Sequence, residues 1–324
     1  MQSEQLPSLT YYTAKIIIPL VQTMILIIIS PLLAGIIKKV KAAFQFRRGP
    51  SIFQPYYDLS KYFKKEVILS DVASWIFTST PYVVLASVIT TALLMPSISY
   101  SYAFSGFGDI IVIIYLMALA RFFMALAALD TASAFGGMAS SREMMISSIA
   151  EPAMILCFIS IAISHNSTNL SNIMSAIAQG ENFFFTTTNL FILFGLFLIV
   201  IAETGRIPFD NPATHLELTM VHEGMILEYS GRYLAMMTLA SYIKQAVLFT
   251  LIVNIFFPYG MMMTTTISAF ILSTFYFIVK LSVFSIFVGI FESSLAKSRL
   301  FQIPDLAGIS FVLALTSIII NVIK

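Results

Sequence analysis

Charge is the scarcest thing in this chain. Of 324 residues only 10% are Asp, Glu, Lys or Arg, where a soluble domain carries about 25%. A soluble molecule of this size could not cover its surface with so few charges. Cysteine is nearly absent: Cys157 stands alone. That excludes an intrachain disulfide framework, a cysteine zinc site and a cysteine-held iron–sulfur cluster. There is no phosphate-binding glycine loop, no assignable Ser/His/Asp arrangement and no haem signature. The net charge of +2 offers nothing to draw nucleic acid. Internal repeats, low-complexity tracts and a soluble domain are also missing, and no two halves read as an inverted repeat, which counts against an independent transporter. What is abundant is apolar surface, 58% of the residues, with a mean hydropathy of +0.91.

A membrane helix needs about 20 apolar residues. Eight stretches meet or approach that length: 16–37, 72–96, 110–129, 145–164, 188–203, 235–257, 266–291 and 305–323. The first is too long for a cleaved signal and is followed by Lys38, Lys39 and Lys41 instead of small residues. The fold class is therefore all-α, a polytopic integral membrane protein forming one membrane domain over 1–324, with the lipid bilayer as its solvent.

The few bases orient it. The loop after span one holds Lys38, Lys39, Lys41, Arg47, Arg48, Lys61, Lys64 and Lys65; the third loop holds Arg142, the fifth Arg206 and Arg232, and the seventh Lys297 and Arg299. The even-numbered loops hold none. The positive-inside rule then places all four odd-numbered loops in the cytoplasm and both termini outside, in a cell membrane. A wrong span count would have mixed basic loops between the sides.

Two cytoplasmic loops stand out. In 38–71, Gly49-Pro50 and Pro55 break the chain. After them Tyr56, Leu59, Phe63 and Val67 share one helical stripe, with Asp58, Lys61, Lys64 and Lys65 towards the other faces. This is an amphipathic surface helix. It anchors in lipid, or it holds Arg47 and Arg48 to dock a cytoplasmic partner. In 203–234, Glu203, Asp210, Glu217, Glu223 and Glu228 face Arg206 and Arg232, between corners at Pro208 and Pro212. A short helix after Pro212 would put Glu217 and Glu228, about three turns apart, on one face. Carboxylates crowded together cannot all ionise cheaply. The interspersed Ile207, Phe209, Leu216, Met220, Val221, Met225 and Ile226 show a loop packed against something, more than a solvated acidic strap. His215 and His222 match no strong zinc or iron spacing.

Charges also lie within spans: Arg121, Glu151, Lys244 and Lys280. Each costs at least about 2.5–3.5 kcal/mol at the bilayer centre unless paired or wet. Glu143 and Glu151, about two turns apart, share a helix face. They extend the acidic loop inward as a relay, or are neutralised pairwise by Arg121 or Lys244. The proton-path candidates are thus Glu143, Glu151, Glu203, Asp210, Glu217, Glu223, Glu228 and Lys244. The docking candidates are Arg47, Arg48, Arg142, Arg206, Arg232 and Arg299.

The stretches RRGP and QPYYDLSK in 47–61, and AETGR-I-PFDNPATHLELTMVHE with LEYSG in 202–231, resemble the membrane subunit joining the two arms of complex I. They resemble more closely its counterpart in membrane-bound group 4 nickel–iron hydrogenases and formate hydrogenlyase, over essentially the whole chain. Only Ser51-Ile52-Phe53 separate RRGP from Gln54, and nine residues separate Leu218 from Glu228, both hydrogenase-like departures from the complex I pattern. The resemblance implies a non-redox subunit with no cofactor and no complete active site of its own. It would cradle a peripheral hydrogenase large subunit and an iron-sulfur small subunit, which carry the Ni-Fe centre and the iron-sulfur clusters, beside antiporter-like membrane subunits. It would couple their chemistry to proton or sodium translocation. By residue match it points to Glu151, Glu203, Asp210 and Arg299. A quinone-site subunit of a complex I-type enzyme, a subunit of a sulfur-reducing complex, and a passive anchor are the rival expectations.

Overall fold

In the computed structural model the described residues are 9–100, 104–179, 186–210, 220–262, 266–295 and 303–323. They form ten α-helices: α1 (Leu9–Phe44), α2 (Gln54–Lys64), α3 (Trp75–Leu94), α4 (Ile110–Asp130), α5 (Ala134–His165), α6 (Leu170–Gln179), α7 (Thr187–Glu203), α8 (Gly231–Phe256), α9 (Ile267–Ser294) and α10 (Ile303–Ile323).

Every expected span is a helix. Seven of them are long and apolar enough to cross a membrane. The exception is α7, 17 residues long, about 26 Å at 1.5 Å per residue and so a little short of a bilayer core. It ends at Glu203, and Gly205 two residues on takes the left-handed conformation that closes a helix. Two spans are longer than their apolar runs. The first continues to Phe44 and carries Lys38, Lys39 and Lys41 on its last turns. The fourth starts at Ala134, so that Arg142 and Glu143 are helical. The amphipathic helix is α2, with Pro55 at its start and Leu59 buried. The ten-residue α6 was not expected; it lies between spans four and five.

Caps set several boundaries. Ser74 Oγ accepts the Ile76 N–H at 3.2 Å, and the Asp130 carboxylate, from the end of α4, accepts Ser74 N–H at 2.7 Å. Asp109 caps α4 through the Ile111 N–H at 2.8 Å. Asn166 ends α5 in the left-handed conformation that asparagine tolerates.

The bundle is built around α8: 83% of its apolar window is buried, against 28% in α9 and 22% in α10. Around it α3 packs on α4, α1 on α9, and α10 against α5 and α7. The ends alternate as the charge pattern requires. One end gathers the C-termini of α1, α4, α7 and α9, helix α2 and the loop before α8. There Ser230 Oγ accepts the Ile68 N–H at 2.8 Å and Arg142 donates to Met220 O at 3.1 Å. The other end joins the connectors after α3, α5 and α8: Tyr100 donates to Pro258 O at 3.0 Å and Thr168 Oγ1 to Asp109 at 2.6 Å.

Candidate functional site

The in-span charges converge. Arg121, buried on α4, donates from Nη2 to both oxygens of Glu203, each at 2.5 Å. Its Nη1 bonds the Glu151 carboxylate on α5, and Glu143, two turns earlier on α5, lies 3.8 Å from Nε. Lys244 of α8 reaches the same Glu203 at 2.9 Å. Four helices thus contribute five charged groups, three acids to two bases. The guanidinium suits this role because its planar fork serves several carboxylates at once. In an apolar bundle each pair repays its desolvation only through such multiple bonds. Nε of Arg121 is buried without a hydrogen bond of its own.

Of the sequence candidates, Glu143, Glu151, Glu203 and Lys244 are brought together here. Glu143 and Glu151 share a helix face, and the same arginine pairs with both. Glu151 is the outermost, with a third of its side chain exposed; Glu203 has 3%.

The loop that starts at Glu203 stays packed against this cluster. Asp210, buried, accepts the N–H groups of Val221 at 3.2 Å and His222 at 3.3 Å, which folds the two arms of the loop onto each other. Residues 211–219, with His215 and Glu217, lie outside the described residues, so the expected helix after Pro212 is not seen. The described return arm holds one 3-10 turn, Glu223–Ile226. Gly224 in that turn lies against α5, where an added Cβ would stand 2.6 Å from Ala139 Cβ. Glu223 is half-buried and Glu228 is exposed. His222 faces Glu143, Lys244, Asp210 and Glu203. Burial, the largest influence, and Lys244 push its pKa below the ordinary value against the three acids.

A second ion cluster went unnoticed in the sequence. Glu292, buried at the end of α9, takes Arg206 Nη1 at 2.8 Å and Lys41 Nζ at 3.7 Å. Arg206 Nη2 donates to Gln245 Oε1 at 2.7 Å, and Gln245 follows Lys244 on α8, so adjacent residues join the two clusters. A lone acid one residue beyond an apolar run, on the end that carries the bases, was the available signal. Among the docking candidates, Arg47 and Arg48 are exposed beyond α1, and Arg232 is exposed over the Tyr233 ring at 5.6 Å. Arg206 and Arg142 are engaged inside the chain, and Arg299 lies outside the described residues. Lys280 donates to Asn254 Oδ1 and Phe257 O, both at 3.1 Å. Among the described residues no group of three or more His, Cys, Asp or Glu is placed to hold a metal ion.

The chain is similar to known proteins over most of its length. The chain is 33% identical over 299 residues to hydrogenase-4 component C of Escherichia coli (strain K12), covering 92% of this chain and 93% of that one. It is 33% identical over 300 residues to formate hydrogenlyase subunit 4 of the same organism, covering 92% and 95%. It is 26% identical over 259 residues to NADH-quinone oxidoreductase subunit 8 of Rhodothermus marinus, covering 76% and 74%. The fold matches a chain of the membrane-bound sulfane sulfur reductase, an archaeal respiratory membrane complex, with a TM-score of 0.81 at 19% identity, covering 94% of this chain and 98% of that one. The family model described as NADH dehydrogenase matches residues 16–323. With that match over nearly its whole length, the chain belongs to the NADH dehydrogenase family, as a multi-pass membrane protein whose homologues are subunits of oxidoreductase complexes.

Proposed function

We propose that this chain is the membrane-anchoring and energy-coupling subunit of a hydrogen-evolving respiratory complex. It carries no redox centre. Its basic end, with α2 and the loop 203–234, seats a hydrogenase large subunit and an iron-sulfur small subunit, which hold the Ni-Fe centre and the iron-sulfur clusters. Its flanks meet antiporter-like subunits. The similarity to hydrogenase-4 component C and formate hydrogenlyase subunit 4 over more than nine-tenths of the chain supports this reading over the quinone-site and sulfur-reducing ones.

The observation that carries the coupling role is the position of Glu203. It is at once the last residue of α7, the first of the loop and the shared ligand of Arg121 and Lys244. A rearrangement of the loop against its docked partner pulls directly on the charge cluster. Three carboxylates facing two cations leave a place for one proton or one monovalent cation, and a change in Glu203 contacts changes its hold on that ion. Glu151, with its partly exposed carboxylate, is where the ion leaves towards a neighbouring subunit. In this reading the basic end faces the cytoplasm and both termini lie outside.

Purification of the intact complex in mild detergent with metal analysis tests the assignment. Nickel together with iron is expected. Iron without nickel, with activity blocked by quinone-site inhibitors, would establish the complex I-type alternative.

A further inference from the structure

At the end of the bundle away from Arg121, the chain after α3 turns inward. Residues 95–100 are non-helical and all buried. Irregular backbone inside an apolar bundle persists only where protein or water satisfies its polar groups. Here membrane helices do part of this. Asn254, fully buried on α8, donates Nδ2 to Ser97 O at 2.8 Å and Pro96 O at 3.2 Å. Gln22, fully buried on α1, accepts the Ile98 N–H at 3.4 Å through Oε1. Lys280 of α9 holds the other end of the Asn254 amide at 3.1 Å. Polar side chains of two helices meet on one connector, and Lys280 of a third backs one of them.

Two atoms are left over. Gln22 Nε2 and Ser97 Oγ are buried and have no hydrogen-bond partner among the described residues. A buried donor left bare carries its full desolvation penalty, and ordered water is the usual partner of such groups in an interior. The ammonium of Lys280 has three protons, and two acceptors are in place, Asn254 Oδ1 and Phe257 O. The features that call for water are therefore present: two bare polar atoms beside the adjacent residues 97 and 98, irregular backbone, and an ammonium one hydrogen bond from Asn254.

We propose that Gln22, Ser97, Asn254 and Lys280 line a hydrated pocket, a second polar site whose ligand is water and whose charged wall is Lys280. It is separate from the Arg121 cluster. Lys244 and Asn254 are ten residues apart on α8, about 15 Å along the axis. The intervening Val247, Leu248, Phe249, Leu251, Ile252 and Val253 are buried and apolar, and Thr250 turns its hydroxyl back to Ala246 O. Along α8 the two sites are thus separated by about two turns of buried apolar side chains. The inference does not rest on the proposed energy coupling and stands whether or not this chain moves an ion.

Electron cryo-microscopy of the assembled complex in lipid, at a resolution that shows ordered water, decides it. Water within hydrogen-bonding distance of both Gln22 Nε2 and Ser97 Oγ is expected. In Gln22→Leu the water on the amide position is expected to be lost, while the Arg121 cluster is unchanged. A wild-type map in which both atoms bond protein groups and no water is present would overturn the proposal, and needs no variant.

Discussion

Glu203 gives both carboxylate oxygens to one nitrogen of Arg121, at 2.5 Å each, across 82 residues of sequence. Lys244 holds the same carboxylate from a third helix at 2.9 Å. The packing of α4, α7 and α8 and the starting point of the loop 203–234 therefore meet at a single side chain.

Removing the hub should be costly. Arg121→Gln leaves three carboxylates facing Lys244 alone, and breaking a buried pair from one side costs about 3–5 kcal/mol. A marked drop in membrane-inserted, protease-resistant protein is expected. Because the penalty is mostly that of stranded charge, the double variant Arg121→Gln with Glu203→Gln should accumulate better than Arg121→Gln alone. Strictly additive losses would contradict the pairing.

Glu292→Gln tests the second cluster. It frees Lys41 and Arg206, which now hold the end of α1 and the loop to α9. The chain should still insert, since the bundle core is untouched. The share of complex that keeps its peripheral subunits through detergent extraction should fall. Undiminished retention would mean that this cluster does not position the docking end.

Gly231 starts α8 at φ +53°, and a Cβ there would stand 2.3 Å from Glu66 O. Any L residue is strained at that φ and must also push the 65–66 backbone away. Gly231→Ala should lower the melting temperature of the detergent-solubilised chain and break the Ser230–Ile68 bonds. The control is Gly137→Ala, helical in α5 with nothing within 4 Å of its added Cβ, which should not lower the melting temperature and should raise it slightly, alanine being the better helix former.

His222 predicts a pH dependence. Burial first, with Lys244 adding to it, lowers its pKa against the pull of Glu143, Asp210 and Glu203. The unfolded chain therefore takes up a proton near the ordinary value of about 6.5 while the folded loop stays neutral. Stability rises with pH wherever the unfolded state binds more protons. The loop should be fully held above about pH 6.5 and loosen as pH falls below it. Limited proteolysis of 220–230 on either side of that pH reads this out, and His222→Gln should remove the difference.

Spans and ends were legible because they rest on local physics. Twenty apolar residues make a membrane helix whatever surrounds them, and the bases counted loop by loop sort the two ends. Arg121, Glu151, Lys244 and Lys280 could be singled out by their cost in lipid, but their partners are set by which helices are neighbours, and spacing along one helix does not reveal that. Glu143 with Glu151 could be paired from the sequence since both lie on α5; Glu203 with Arg121 could not. Glu292 escaped notice because it sits one residue past an apolar run, where a charge costs little unless the helix end is buried. Arg206 could be listed by its charge alone, but that the fold places Glu292 and Gln245 on it could not be read from spacing. The inward turn at 95–100 left no mark beyond Pro96, because a buried connector and an exposed loop have the same turn residues.

The most direct test of the central claim is ion translocation per hydrogen evolved in inverted membrane vesicles containing the assembled complex, with Glu203→Gln and Glu151→Gln measured against wild type. The account predicts that hydrogen evolution persists while the ion moved per hydrogen falls several-fold in both variants. An unchanged ratio at unchanged hydrogen evolution would reduce the cluster to a structural device and leave the chain a passive anchor.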